Sequence, residues 1–547
     1  MNRPNIVFAF ADDWGRYASA YAAHEGEGSI NELIDTPNFD RVAREGVLFT
    51  NAVVPAPSCT PCRSSILAGQ YFWQTGMGAI LQGARWDQSI PTYPLELEKA
   101  GYHIGYTYKV WSPGRTANAP YGAERTRYEP AGSDFNRFSH RVTEWAAGEA
   151  SDGKATMRGA GSGAGASDSV GTEPHGTDTG SPASRVEAAK RRLLDETRSN
   201  VRAFLDARPD DAPFCYWWGP TNTHRTWERG SGKALWGLDP DALEGRLPAY
   251  LPDVPEVRED VCDYLGECLA VDAGLGEILD ELEQRGELDN TLLVVSGDHG
   301  IPGIPRGKCN LYDLGSEVAL AIRWPGRVPG GRVVDDMVNL MDLGPTFLEA
   351  AGVPIPETMT ATSLVPILAS GASGRIDPDR DYVVTGRERH VATAREGNLP
   401  YPQRAIRTHD YLYIRNYAPD RWPMGDPRGL TDNGSTAASE HDLTWSTHAT
   451  FSDLDAGPTK AFMVLHRDDE GVRPLFDLGF GKRPAEELYD VRTDPDHMQN
   501  LADDAAYADV KAELAGRLEG VLLAQRDPRV VEDPCRYEGL PYTGEPD

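Results

Sequence analysis

Four short apolar runs, each ending in polar residues that could do chemistry, constrain the fold of this chain more than any other feature. Residues 5–11 (Asn-Ile-Val-Phe-Ala-Phe-Ala) lead into Asp12 and Asp13, and residues 102–108 (Tyr-His-Ile-Gly-Tyr-Thr-Tyr) into Lys109. Residues 214–218 (Phe-Cys-Tyr-Trp-Trp) lead through Gly-Pro-Thr-Asn-Thr to His224, and residues 291–296 (Thr-Leu-Leu-Val-Val-Ser) through a glycine to Asp298, His299 and Gly300. Continuous apolar runs of this length mark strands buried on both faces, as in parallel sheets covered by helices. Helical patterns lie between them, at 35–45, 94–100, 187–207 and 260–284. The alternation predicts an α/β fold, a mostly parallel sheet flanked by helices. Ligands of such sheets bind beyond the carboxyl ends of the strands. All four polar clusters fall there, so one active site built from distant segments is expected.

Residues 146–184 are rich in Gly, Ser, Ala, Asp and Thr and are expected to form a flexible surface insertion. Beyond about residue 375 the pattern changes: 404–415 alternates across a turn like an antiparallel hairpin, and 507–523 reads as a terminal helix. The expected organisation is a catalytic α/β domain, 1–375, followed by a smaller α+β subdomain with an antiparallel sheet, 376–547. A net charge of -30 repels nucleic acid and anionic membranes, so neither is an expected partner. It also obliges any anion-binding site to carry its own positive groups. The seven cysteines are odd in number and irregularly spaced, which is no disulfide framework. No stretch reaches the apolar length of a membrane span, and the first residues enter a strand with no leader pattern, so a cytoplasmic protein is expected.

Residues 59–63 read Cys-Thr-Pro-Cys-Arg and continue Ser-Ser-Ile-Leu-Ala-Gly. Residues 47–54 look like one buried strand, after which Pro55, Pro57 and Pro61 bar regular structure. Cys59 is therefore expected in a tight loop, with Pro61 at the first helical position and a short helix over 64–68 ending at Gly69. A group just before a helix N-terminus meets unpaired N–H groups and the positive end of the dipole, which favour an anion. Cys59 and Cys62 also form a C-x-x-C, which leaves open a redox pair or half a zinc site. A redox module usually has an aromatic residue where Ser58 stands, and Cys262 and Cys268 are too widely spaced to complete a zinc knuckle.

Asp12 and Asp13 read either as a solvated turn or as ligands of a hard cation. Adjacent carboxylates on a strand point in opposite directions and converge only where it breaks, for which Trp14-Gly15 is the candidate. Asp298 and His299 repeat the arrangement on another strand. Three carboxylates and an imidazole suit one divalent metal. Taken singly, Lys109 is a strand-end lysine, His224 a loop histidine and Lys308 a surface lysine. Arg387, Arg389 and His390, in an Arg-Glu-Arg-His run, read as a solvated loop or as contacts to an anionic substrate.

Taken together, Asp12-Asp13, the Cys-x-Pro-x-Arg run, Asp298-His299-Gly300, the Gly307-Lys308 stretch and a closing Glu-Glu-Leu-Tyr-Asp-Val-Arg-Thr-Asp-Pro at 486–495 stand in the order found in formylglycine-dependent sulfatases. The chain resembles that family over nearly its whole length apart from the insertion. Residues 300–312 are most similar to the sulfamidases, which cleave N-sulfoglucosamine. The resemblance implies an alkaline-phosphatase-like fold and a sulfuric ester hydrolase acting on a carbohydrate or aryl sulfate ester or sulfamate. It implies that a formylglycine-generating enzyme oxidises Cys59 to an aldehyde, whose hydrate attacks sulfur. Asp12, Asp13, Asp298 and His299 would hold the metal, which would also contact residue 59. Arg63 and Lys109 would orient the hydrate, His224 and Lys308 would bind substrate and serve the leaving group, and Arg387 and His390 would contact substrate. Calcium is the expected metal; His299, where many calcium members have Asn, keeps manganese and zinc open. Two further departures stand out: Cys62 replaces a usual Ser, and Trp111 replaces a frequent histidine. The Asp-His pair also resembles the phosphonate and phosphodiester hydrolases of the same superfamily. That is the nearest alternative; a thiol redox protein using Cys59 and Cys62, and a non-catalytic metal-binding protein, are the others.

Overall fold

The computed structural model describes residues 3–148, 181–430 and 438–546. Most of the expected insertion, 149–180, lies outside the described residues. In chain order the strands are β1 (Asn5–Ala11), β2 (Val47–Phe49), β3 (Ala52–Val53), β4 (His103–Tyr108), β5 (Phe214–Gly219), β6 (Thr291–Gly297), β7 (Leu320–Arg323), β8 (Arg332–Val334), β9 (Val338–Asn339), β10 (Tyr382–Arg387), β11 (Gln403–Thr408), β12 (Tyr411–Asn416) and β13 (Glu486–Asp490). Seven of them form one sheet in the order β4-β5-β1-β6-β7-β2-β8. All its neighbours pair in parallel except β7, which is antiparallel to β6 and β2.

The apolar runs explain this sheet. Every residue of β1, β5 and β6 is buried. Side chains alternate across a strand, so Ile6, Phe8 and Phe10 enter one core while Val7, Ala9 and Ala11 enter another. The first core also takes Ile66, Leu67 and Ala68 of the helix Cys59–Ala68 and Phe347 of the helix Leu343–Ala350. The second takes the long helices Pro182–Asp206 and Pro255–Gln284. The four strands singled out in the sequence are therefore adjacent, β4-β5-β1-β6, with their carboxyl ends on one edge.

A separate antiparallel sheet, β10-β11-β12-β13, follows, with the hairpin expected at 404–415 formed by β11 and β12. Val384, Ile406, Tyr413 and Leu488 of this sheet pack against Leu514, Leu518 and Leu522 of the helix Ala508–Ala524. Among the described residues no helix is long and apolar enough to cross a membrane.

Two local expectations are corrected. The strand expected over 47–54 is two strands, because Thr50 and Asn51 turn their side chains onto Asp335 at 2.6 and 2.9 Å and interrupt it. The helix expected from Pro61 begins at Cys59, with Ser58 extended before it. Proline is tolerated in the first turn because the N–H it lacks would have no partner there.

Candidate active site

Strand register builds the site. β1 and β6 run in phase, Ala11 beside Gly297, so Asp12-Asp13 and Asp298-His299 emerge next to each other. The pairing continues past the strand ends: Asp298 N–H donates to Ala11 O at 3.2 Å, Asp12 N–H to Pro220 O at 2.9 Å, and Lys109 N–H to Gly219 O at 2.9 Å. Gly297 is required at this edge, since a Cβ there would lie 1.9 Å from Trp14 O. The break that lets both aspartates converge falls at Asp13 itself, φ 57°, one residue before the expected Trp14-Gly15. A non-glycine residue in that region is held there by its surroundings. Asp13 N–H donates to Asp298 Oδ1 at 2.8 Å, and Tyr264 Oη donates to Asp13 O at 2.9 Å.

Cys59 opens a ten-residue helix whose dipole points its positive end at the carboxylate cluster. The Ser58 hydroxyl does not cap this helix; it bonds His390 Nδ1 at 2.8 Å. Cys59 Sγ lies 3.3 Å from His299 Nε2 and 3.9 Å from Asp13 Oδ1. One turn on, Arg63 is fully buried, with Nε 2.8 Å from Asp298 Oδ2 and Nη2 3.2 Å from Asp12 Oδ1. Lys109 Nζ is 2.7 Å from the Asp12 carboxylate, and Lys308 Nζ is 2.9 Å from Asp13 Oδ2. Every site residue that the sequence assigned to metal or residue-59 chemistry is thus in one buried cluster.

The electrostatics are those of a dry site with balanced charge. Burial alone would raise the Asp12 carboxyl, but Lys109 and Arg63 beside it hold it well below the usual carboxylate range. Burial raises Asp298, and His299 and Arg63 offset only part of that. Burial disfavours the Lys308 ammonium, yet Asp13 and a second carboxylate, Asp455, carry it well above the ordinary lysine value. Burial first, and the Asp12 charge next, push the Cys59 thiol well up. The Cys62 thiol is also raised, chiefly by burial, and its side chain packs in the core beneath the helix, so the C-x-x-C lacks the lowered thiol of a redox pair.

His224 stands at the rim, Nε2 3.9 Å from Asp13 Oδ2. Its Nδ1 is 2.7 Å from Arg225 O. A carbonyl can only accept, so Nδ1 carries hydrogen and Nε2 is the atom that faces the site. Trp111 adds no polar group to the cluster: it packs edge-on against Trp86, and its Nε1 donates to Ser64 Oγ at 2.7 Å.

Arg387 and His390 differ from the expectation that they contact substrate. Arg387 is buried, pairing Asp453 at 2.5 Å and donating to Cys309 O at 2.6 Å. Cys309 N–H in turn donates to Pro57 O at 2.8 Å, so Arg387 braces the segment carrying Lys308 against the Cys59 loop. His390 is buried against Ser58, and burial pushes it down to about 3, leaving a neutral ring unsuited to hold an anion by charge. Asp455 is the residue that sequence reasoning missed. Its Oδ2 lies 3.2 Å from Lys308 Nζ. In the sequence it is one of many aspartates in a polar loop, with no local signal.

The donor set fits a divalent cation. Oxygens of Asp12, Asp13 and Asp298 gather with His299 Nε2 and Cys59 Sγ in overlapping groups whose ligand atoms lie within 4.8 Å of one another. Arg63, Lys109 and Lys308 answer the carboxylates, while Asp13 Oδ1 and Asp298 Oδ1, which meet no lysine or arginine, face His299 and suit a hard ion.

The sulfatase family profile matches residues 4–353, and the C-terminal profile of N-sulphoglucosamine sulphohydrolase matches 306–429. The N-sulphoglucosamine sulphohydrolase of Homo sapiens is 25% identical, covering 98% of this chain and 92% of its own. An N-acetylglucosamine-6-O-sulfatase of Bacteroides thetaiotaomicron is 24% identical over 79% of this chain and 82% of its own. Among solved structures, one in complex with its substrate D-glucosamine-2-N,6-O-disulfate superposes with a TM-score of 0.60 at 20% identity, covering 97% of this chain and all of that one. The phosphonate monoester hydrolase of Agrobacterium radiobacter superposes at 0.59 and 19% identity, over 96% and 97% of the two chains. The alkaline-phosphatase-like architecture is shared by both. The chain belongs to the sulfatase family and is a sulfuric ester hydrolase.

Proposed function

We propose that this hydrolase removes sulfate from a sulfated sugar, an ester or a sulfamate, using an aldehyde formed at Cys59 and one divalent cation. One observation carries the reading: Cys59 Sγ, 3.3 Å from His299 Nε2, lies inside the carboxylate cluster, so residue 59 and the cation site are a single chemical centre. The sugar preference is supported by the match of the sulphoglucosamine sulphohydrolase C-terminal profile over the segment that contains Lys308.

Asp12, Asp13, Asp298 and His299 would hold the cation, with calcium favoured by the oxygen-rich set. Bound there, the cation supplies Lewis-acid polarisation of a sulfate oxygen and eases deprotonation of the aldehyde hydrate. An aldehyde hydrate at residue 59 would supply two hydroxyls on one carbon, one as nucleophile and one to release the sulfate. The chain's own residues do the rest. Arg63 and Lys109 fix the position of residue 59 and the charges around it. Lys308, a permanently charged ammonium, lies where negative charge develops and stabilises it. His224, when doubly protonated, carries its second hydrogen on Nε2 toward the site and gives that proton to the departing oxygen or nitrogen.

The test is co-expression with a formylglycine-generating enzyme. Peptide mass spectrometry is expected to find the aldehyde at residue 59 and a thiol at residue 62. The protein so matured is expected to hydrolyse glucosamine N-sulfate or a sugar O-sulfate faster than an aryl phosphonate. Full activity with an intact Cys59 thiol overturns the mechanism, and a faster phosphonate overturns the substrate class.

A further inference from the structure

We propose that Asp455 is a specificity-determining residue, whose carboxylate accepts a hydrogen bond from a hydroxyl or ammonium group on the atom next to the one bearing sulfate. This inference rests on the sulfate reading above.

Charge balance gives the first reason. Arg63 and Lys109 answer Asp12 and Asp298, and Lys308 answers Asp13, so each inner carboxylate already has a cation. Asp455 approaches Lys308 from outside that set, at 3.2 Å, and is not needed to balance it. In a site meant for a sulfate anion, a surplus carboxylate opposes binding unless it has its own partner.

Position gives the second. Asp13 is fully buried, Cys59 is 2% exposed and the Lys308 side chain 3%, whereas the Asp455 side chain is 16% exposed and that of His224 36%. His224 and Asp455 are thus the solvent-facing side chains around Lys308, where the organic part of a substrate would lie when its sulfate rests against Lys308.

Rigidity gives the third. Lys460, wholly buried, donates from Nζ to the carbonyls of Phe451 and Leu454 at 3.3 and 2.7 Å. Asp453 is clamped by Arg387 and by Arg395 at 2.8 Å, and its Oδ1 accepts from Val391 N–H at 2.9 Å. Two residues from that anchor, Asp455 is held at a fixed place, as an acceptor must be to tell one neighbouring group from another. A free donor beside the sulfate would satisfy it. A methyl ether there would offer Asp455 no donor beyond Lys308, and a second sulfate would meet repulsion.

The experiment uses matured, metal-loaded enzyme and two aryl sulfates that differ by one methyl group: 2-hydroxyphenyl sulfate, with a donor beside the ester, and 2-methoxyphenyl sulfate, without one. The readout is the ratio of their kcat/KM values in wild type, Asp455→Asn and Asp455→Ala. Absolute rates can fall in both variants because Lys308 loses a neighbour; the ratio is unaffected by a role confined to holding Lys308. Wild type is expected to favour the hydroxyl compound by about tenfold or more, and Asp455→Ala to bring the ratio near one. A wild-type ratio near one, or a preference unchanged in both variants, overturns the proposal while leaving sulfate hydrolysis intact. Failure of the matured wild type on glucosamine N-sulfate and sugar O-sulfates as well as on these aryl sulfates refutes the sulfate reading itself, and this inference with it.

Discussion

Replacing Lys308 by methionine keeps most of the length of the side chain and removes its charge and its N–H donors. The ammonium is buried 2.9 Å from Asp13 and 3.2 Å from Asp455, so it is held in place before substrate arrives and needs no reorganisation during the reaction. A preorganised donor of this kind typically contributes about 2.7–4 kcal/mol to transition-state stabilisation. At about 1.36 kcal/mol per tenfold, that is a loss in kcat of roughly 100- to 1000-fold. The loss depends on the leaving group. An alkyl or sugar alcohol leaves with nearly full negative charge, whereas nitrophenolate spreads its charge and needs less help. Steady-state kinetics on a sugar sulfate and on 4-nitrophenyl sulfate, with metal content matched to wild type, separate the cases. The expected outcome is a large kcat effect on the sugar and a smaller one on the aryl ester. A near-normal kcat on the sugar sulfate, or equal losses on both, would refute the assignment of Lys308 to leaving-group charge.

Asp298→Ala should remove bound metal and activity together, because it deletes a ligand and unpairs buried Arg63; full metal occupancy by elemental analysis would show the ligand set to be wrong. Arg387→Ala should cost about 3–5 kcal/mol of stability, since it strands part of a buried ion pair, and the enzyme that remains folded should keep its KM; a large KM rise without loss of stability would return Arg387 to substrate binding. Glu267 is pushed up to about 7, chiefly by burial, and Asp263 and Asp272 on the same helix also to about 7. A carboxyl raised in the fold contributes stability below its unfolded value of about 4 that is lost as pH climbs through about 7. Glu267→Gln, neutral at every pH, should therefore match wild type near pH 4 and exceed it at pH 8, by up to about 3 kcal/mol in chemical denaturation; a variant less stable at pH 8 contradicts this.

Much of the molecule was determined by local sequence. Strands buried on both faces announce themselves as short apolar runs, and β1, β4, β5 and β6 all lie where those runs predicted. The polar residues after them fall at the carboxyl edge because that is where each strand stops. Cys-x-Pro-x-Arg and Asp298-His299 were legible because each requirement is met by residues close in sequence. Tertiary structure decided what depends on partners. The phase of β1 against β6, which sets Asp12 beside Asp298, follows from packing across the whole sheet. The left-handed turn at Asp13 persists because Asp298 and Tyr264 hold its backbone. Arg387 and His390 look like solvated or substrate-facing groups in the sequence, yet they are buried and spent on Asp453, Cys309 and Ser58. Asp455 reached the site only because a buried lysine and an arginine-bound aspartate fold its loop back onto Lys308, 147 residues earlier in the chain. Burial and charge pairing are properties of neighbours in space, and hydrophobic periodicity does not record them.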